Sequence, residues 1–104
     1  MSRYLLTQSA KDDLSEIRTY LIEQAGARVA RHVLSEITAG FQLLAQTPGA
    51  GHVREDLTER PLKFWSVFSY LVVYDPAATP IRIARVLHAA RDIPALFERQ
   101  PPTI

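Results

Sequence analysis

The sequence contains no cysteine, and this absence removes several kinds of chemistry at once. Disulfide bonds, thiol nucleophiles and cysteine-ligated zinc sites are all excluded. The three histidines, His32, His52 and His88, are too scattered for a metal site. Residues 49–51, Gly-Ala-Gly, lack both the lysine and the strand-to-helix setting of a phosphate-binding loop. We therefore expect no metal and no other cofactor.

Long hydrophobic runs are missing as well. The N-terminus turns polar at Thr7 and Gln8, too early for the apolar run of about 7–15 residues in a secretory signal. No stretch approaches the roughly 20 apolar residues of a membrane span. Together with the lack of cysteine, these features favour a cytoplasmic protein with no membrane partner.

An excess of charge of one sign is also lacking, since 12 Lys and Arg against 11 Asp and Glu give a formal net charge of +1. A protein that binds nucleic acid usually has an excess of basic residues or a basic face. In the central loop, Arg54 and Arg60 alternate with Glu55, Asp56 and Glu59, which cancel most of the local field. The overall charge therefore fits poorly with a partner rich in phosphates.

The chain has 104 residues, enough for one domain and too few for two. A hydrophobic content of 47% and a charged content of 22% are ordinary for a globular protein. We expect a single domain over residues 1–104, with residues 99–104 as a frayed tail.

The N-terminal half reads as a strand followed by two helices. Residues 4–6 form a short apolar run, and Ser9 with Asp12 matches a capping box at a helix start. This helix should end at Gly26. A second apolar stripe at helical spacing follows, made by Ala30, Val33, Leu34, Ile37, Phe41 and Leu44. The short connection predicts an antiparallel helical hairpin, within which Gly40 either costs about 1 kcal/mol relative to alanine or permits close packing.

The C-terminal half changes to strand character. Residues 49–61 read as a loop, and residues 64–74 are rich in aromatic and β-branched residues. Ser66 or Ser69 interrupts this stretch, giving two strands or one bulged strand. The turn at residues 75–80 leads into a strand over 81–88 that should pair antiparallel, and Asp92 caps a short final helix. The predicted fold class is α+β, with an N-terminal strand, an antiparallel helical hairpin packed on a mostly antiparallel sheet, and a short C-terminal helix.

Several segments in this order resemble the ParE-type toxins of the RelE/ParE superfamily. The strongest is residues 85–93, Arg-Val-Leu-His-Ala-Ala-Arg-Asp-Ile, which is similar to the C-terminal signature of that family. The other segments are Ala10, Asp13-Leu14, Ile17 and Tyr20, the run 41–48, and Gly51, Arg54, Leu57 and 71–74. The resemblance covers roughly residues 4 to 97.

The resemblance implies a toxin that is neutralised by a cognate antitoxin in a toxin–antitoxin hetero-oligomer. ParE-like members are associated with inhibition of DNA gyrase and need no catalytic chemistry. RelE-like members cut mRNA on the ribosome without a metal. A degenerate relative that only binds its antitoxin is a third possibility. We favour the ParE-like function and keep the ribosome-dependent endoribonuclease as the alternative.

Each alternative has its own candidate site residues. RNA cleavage needs cations around the scissile phosphate and a group that moves the 2′-hydroxyl proton. The nuclease candidates are Arg54, Arg60, Lys63, Arg82 and His88; the partner-binding candidates are Arg82, His88 and Arg91. RNA-cleaving relatives often have a catalytic side chain in this neighbourhood. Here the residue directly after His88 is Ala89, which cannot supply a proton. We therefore expect His88 to pin the strand end by hydrogen bonding.

Two further residue groups have alternative interpretations. Arg82 and Arg85 are an odd number of positions apart, so on a regular strand they face opposite sides and share one site only if the strand bulges. Arg85 is equally suited to a structural ion pair. The aromatic residues around Trp65 are expected mostly in the core or on the sheet surface, with a platform for RNA bases as the alternative.

Overall fold

The computed structural model describes residues 3–102. The elements are β1 (Tyr4–Leu6), α1 (Gln8–Ala25), α2 (Ala27–Gln46), a 3-10 turn (Pro48–Ala50), β2 (Lys63–Val67), β3 (Tyr70–Asp75), β4 (Ile81–His88) and α3 (Ile93–Arg99). The sheet order is β1-β4-β3-β2, with β1 parallel to β4 and the other pairs antiparallel. The predicted α+β architecture is confirmed. No helix within residues 3–102 is long and apolar enough to cross a membrane.

Helix α1 begins one residue after Thr7, and the predicted capping box at Ser9 is wrong. The Thr7 hydroxyl accepts a hydrogen bond from the Ala10 N–H at 3.1 Å and donates one to the Ala84 carbonyl at 2.8 Å. Ser9 lies inside the helix, where its hydroxyl is not the cap. The cap position is decided by β4, because only Thr7 can satisfy the helix and the strand with the same oxygen.

A single residue forms the reversal of the chain between α1 and α2. Gly26 has a φ of 91° and donates its N–H to the Ile22 carbonyl, which closes α1. Its own carbonyl accepts from the Ala30 N–H and so opens α2. A positive φ is cheap only for glycine, which is why the reversal falls here.

The sheet is buried on both faces. The helix-side cluster packs α1 and α2 against one face; its buried members are Ala10, Ile17, Ile37, Phe41, Leu44, Tyr70, Val72, Tyr74, Ile81, Ile83 and Val86. The α3-side cluster covers part of the other face with Leu62, Phe64, Leu71, Val73, Leu87, Ile93, Leu96 and Phe97. Successive residues of the central strand β3 alternate between the two clusters, so that all of Tyr70–Tyr74 is buried.

The aromatic stretch forms two strands, separated by a two-residue turn at Phe68 and Ser69. Strand β2 then passes close under α2. A Cβ atom at Gly40 would lie 3.3 Å from Val67 Cγ2 and 3.5 Å from Trp65 Cδ1, so the absence of a side chain permits this approach. Gly40 therefore serves close packing, one of the two roles expected for it.

Strand β4 carries a β-bulge. Val73 pairs with Arg85 while the next residue of β3, Tyr74, pairs with Ile83, which leaves Ala84 as an extra residue. Arg82 pairs with Asp75, so Arg82 and Arg85 oppose residues two positions apart on β3 and share a face of the sheet. The regular-strand expectation of opposite faces is wrong because the bulge shifts the alternation by one.

The last residues that the structure describes, 100–102, follow directly after α3. Pro102 is buried, and residues 100–102 lie beside the first turns of α1. Residues 103 and 104 lie outside the described part of the chain.

Candidate functional site

One edge of β4 continues beyond its neighbouring strand. Strand β1 pairs with β4 only as far as Leu6 opposite Ile83. Beyond Ile83, side chains from α1 and its N-cap bond to the β4 backbone instead. The Thr7 hydroxyl donates to the Ala84 carbonyl, and Asp13 Oδ2 accepts from the Val86 N–H at 3.0 Å. The outer edge of β4 is thus paired with β1 at its start and bonded to side chains of the α1 region at Ala84 and Val86, and within residues 3–102 it has no strand partner towards its end.

Asp13 and Arg85 form a buried ion pair that holds α1 against β4. Arg85 Nε lies 2.7 Å from Asp13 Oδ2, and Arg85 Nη2 lies 2.8 Å from Asp13 Oδ1. The two residues are only 5% and 7% exposed. The hydrogen bond to Asp13 raises the pKa of Arg85 and keeps its guanidinium charged despite burial. Arg85 is therefore a structural residue, as one of its two interpretations predicted.

Next to this pair, α1 and the end of β4 enclose a groove of about 310 Å³, which we call the β4-edge groove. Its lining residues are Asp13, Glu16, Ile17, Tyr20, Tyr70, Val86, Leu87, His88 and Arg91. Ile17, Tyr70 and Val86 are buried, whereas Tyr20 is 57% exposed. The groove therefore has an apolar floor and a polar rim.

The backbone of β4 faces this groove. The Val86 N–H points to Asp13 and hence away from β3, and by strand alternation the His88 N–H points the same way. Burial raises the pKa of Tyr70, and the nearby Tyr20 raises it further. The Tyr70 phenol therefore stays neutral at physiological pH, and the Tyr70 and Tyr20 hydroxyl groups can each donate and accept hydrogen bonds.

His88 is committed to local structure. Its Nδ1 accepts a hydrogen bond from the Ala90 N–H at 3.0 Å, and its ring stands edge-on to Tyr70 with centroids 5.5 Å apart. The Nδ1 lone pair that a general base would use is therefore occupied by this hydrogen bond. This geometry agrees with the expectation that His88 pins the strand end.

The nuclease candidates on the sheet lie on different faces and at different ends. Lys63 pairs with Tyr74 on the helix side, and its Nζ lies 3.5 Å from the Gly49 carbonyl. Arg82 shares the opposite face with Val73 of the α3-side cluster. His88 is six residues further along β4, roughly 17–20 Å away at the usual rise of a strand.

The two nuclease candidates in the central loop, Arg54 and Arg60, lie outside the β4-edge groove. Arg54 Nη2 lies 2.8 Å from Asp56 Oδ2 in an exposed ion pair, and this hydrogen bond lowers the pKa of Asp56. Arg60 lines a different depression, together with residues of α3. Of the five nuclease candidates, His88 alone lines the β4-edge groove, where the partner-binding candidate Arg91 joins it. No group of three or more potential metal ligands occurs within residues 3–102.

Sequence reasoning named His88 and Arg91 but missed the rest of the groove. Asp13 stands at an apolar position of α1, three residues after Ala10 and four before Ile17, and this is the signal that could have marked it as buried. An acidic residue on the apolar face of a helix requires a charged partner. Tyr70 carried no such signal, since it resembled the other aromatic residues of its strand.

Comparison with known proteins assigns the chain to a family. The family model described as ParE toxin of type II toxin-antitoxin system, parDE, matches residues 4–93. Toxin ParE1 of Caulobacter vibrioides is 33% identical over 88 residues, which cover 85% of this chain and 90% of that protein. A chain of the chromosomal ParDE TA system from P. aeruginosa shares the fold, with a TM-score of 0.70 at 20% identity, over 85% of this chain and 96% of that one. The chain belongs to the ParE toxin family of type II toxin–antitoxin systems.

Proposed function

We propose that this ParE-type toxin inhibits DNA gyrase by binding it, without catalysing a reaction, and that a cognate antitoxin neutralises it. Membership of the ParE family supports the proposal. The observation that carries the non-catalytic mechanism is the separation of Lys63, Arg82 and His88 on the sheet. With gyrase as its target, we propose that the toxin acts in the cytoplasm.

The ribonuclease alternative lacks support from the residues near His88. Cleavage needs an unneutralised cation beside the phosphate and a free acid–base group. Arg85 is neutralised by Asp13 and buried, while the Nδ1 of His88 is occupied by the Ala90 N–H. Arg91 is the remaining cation at the groove, and Glu16 lines the same groove. Binding to a partner fits this arrangement better than phosphate chemistry.

Purified wild-type protein should block DNA supercoiling by gyrase and leave ribosome-bound mRNA intact. His88→Ala should retain this inhibition, apart from a small loss caused by a looser strand end. The same preparation is added to a gyrase supercoiling reaction and to a translating extract that is read by primer extension. A nuclease would instead lose roughly 10²–10⁴-fold in cleavage rate with this variant, because its acid–base group is gone.

The outcome that would overturn the gyrase proposal is specific. It consists of cuts within codons at the ribosomal A site, with supercoiling untouched by the same protein. Arg18→Ala is a suitable control variant, because Arg18 is exposed on α1 outside the β4-edge groove and should leave either activity unchanged.

We also propose that the antitoxin occupies the β4-edge groove. Two backbone groups at this edge, the Val86 carbonyl and the His88 N–H, can pair with an added strand, and the apolar floor can take alternate side chains of that strand. Arg91 at the rim suits an acidic residue of the same segment. A flexible antitoxin segment that orders along a groove would silence the toxin without changing its fold.

Titration calorimetry with the product of the neighbouring reading frame tests this binding site. We expect nanomolar or tighter affinity, on the order of −12 kcal/mol. Tyr20→Glu should weaken it at least about tenfold, because an exposed aromatic contact is lost and a carboxylate is placed beside Glu16. Val53→Glu, at another exposed apolar position, should have no effect. Micromolar wild-type affinity would refute the pairing, and equal losses in the two variants would refute the groove.

A further inference from the structure

The tip of the β2–β3 hairpin carries an unusual residue for its position. Phe68 has a φ of 53° and is 60% exposed. This left-handed conformation is uncommon for a residue other than glycine, asparagine or aspartate, and a large aromatic side chain is costly there. The turn therefore combines backbone strain with an exposed apolar ring, two features that together point to function rather than to folding.

The ring is held in place by α2. The centroids of Phe68 and His32 are 5.9 Å apart, with their planes at 50°. Val29 lies three residues before His32 and Arg28 four residues before it, so these side chains share one face of the helix. We call Arg28, Val29, His32 and Phe68 the tip patch; all four residues are exposed.

The tip patch carries positive charge. The two ion pairs found within residues 3–102, Arg54 with Asp56 and Arg85 with Asp13, do not include Arg28 or its neighbour Arg31. The first acidic residue along α2 is Glu36, one turn beyond His32. The exposed ring thus lies against a helix whose exposed residues near His32 include two arginines, and a negatively charged surface would be stabilised beside them.

We infer that the tip patch docks on the target of the toxin, a folded protein with an acidic rim around a pocket for an aromatic ring. Shape and charge both favour such a partner. The exposed Phe68 ring fits a partner with a concave surface. A flexible antitoxin segment instead binds in a groove and does not form a pocket for the ring. This inference rests on the proposed function only in that the toxin acts by binding a target protein.

Nucleic acid is the less favoured occupant. A base could stack on Phe68, but such binding needs a positively charged channel that follows the backbone. The formal net charge of the chain is only +1, and Glu36 ends the basic stretch of α2 after a little more than two turns. A gel-shift assay with plasmid DNA distinguishes this occupant from a protein target.

The experiment compares two positions of equal exposure. Phe68 and Val53 are each 60% exposed, and each is changed to serine in the full chain. Phe68→Ser should reduce toxicity in a growth assay at least about tenfold, as loss of a central aromatic anchor does, while Val53→Ser should remain fully toxic. Arg28→Glu should reduce toxicity in the same way, and Arg18→Glu on the exposed face of α1 should not.

Phe68→Gly separates binding from folding. Glycine adopts a positive φ without strain, so the melting temperature should stay the same or rise while toxicity is still lost. Antitoxin affinity, measured by calorimetry, should not change in any of the Phe68 variants.

Three results would each overturn the inference. The first is full toxicity of Phe68→Ser and Phe68→Gly. The second is a parallel loss of antitoxin affinity, which would make the antitoxin the occupant. The third is wild-type binding to plasmid DNA in a gel-shift assay that the Phe68 variants lose. A wild-type toxin that kills cells without inhibiting gyrase would refute the proposed target and leave the growth comparison at Phe68 fully interpretable.

Discussion

Phe41→Ala should lower the free energy of unfolding by about 3–5 kcal/mol, because it leaves a cavity where α2 meets the sheet. Phe41 is 1% exposed, and its ring lies against Tyr4 of β1 with centroids 5.3 Å apart. Ile37, one turn earlier, is completely buried in the same helix-side cluster. The loss would be a large part of the roughly 5–10 kcal/mol that stabilises a domain of this size.

Chemical denaturation of the purified toxin measures this change. Leu43→Ala is the matched control, because Leu43 lies two residues away on the same helix and is 41% exposed. The control should shift the free energy of unfolding by about 0.5 kcal/mol or less. A Phe41→Ala midpoint close to the wild type would contradict the packing described for α2.

The helices were predictable from the sequence because their causes are local. The apolar stripe of α2, from Ala30 to Leu44, sets the face that the helix buries, and Gly26 and Pro48 lie where glycine and proline end helices. The strands could be located for the same reason, since the change to aromatic and β-branched residues and the proline-rich turn at residues 75–80 are short-range signals.

The details that depended on distant residues were not predictable. The helix cap moved from Ser9 to Thr7 because the hydroxyl of Thr7 also reaches the carbonyl of Ala84. The bulge at Ala84 leaves no mark in the sequence of β4, which contains neither glycine nor proline. Pro102 is buried and lines a depression together with the first turns of α1, about ninety residues earlier in the sequence.

The difference between local and distant causes also explains which parts of the candidate site could be predicted. His88 and Arg91 were named as candidates because polar residues at a strand end are visible in the sequence. The β4-edge groove was not, because it arises where β1 stops at Leu6 and α1 continues alone along β4. A strand of three residues beside a strand of eight leaves an open edge, and only the register of the sheet reveals it.

The ion pair between Asp13 and Arg85 should have the largest effect of any polar contact within residues 3–102. Asp13→Ala should lower the free energy of unfolding by about 3–5 kcal/mol, because it leaves the guanidinium of Arg85 buried without a counter-ion. The Val86 N–H would lose its acceptor in the same step. Thermal or chemical denaturation of the variant measures the loss.

A double variant shows whether the charge itself is the cause. Asp13→Leu combined with Arg85→Met removes both charges and fills most of the space, so that only the Val86 N–H lacks a partner. An unsatisfied buried donor costs about 1–3 kcal/mol, so the double variant should be more stable than Asp13→Ala alone. If the single variant unfolds at the wild-type midpoint, or the double variant is at least as unstable as the single one, the pair is not what holds α1 to the edge of β4.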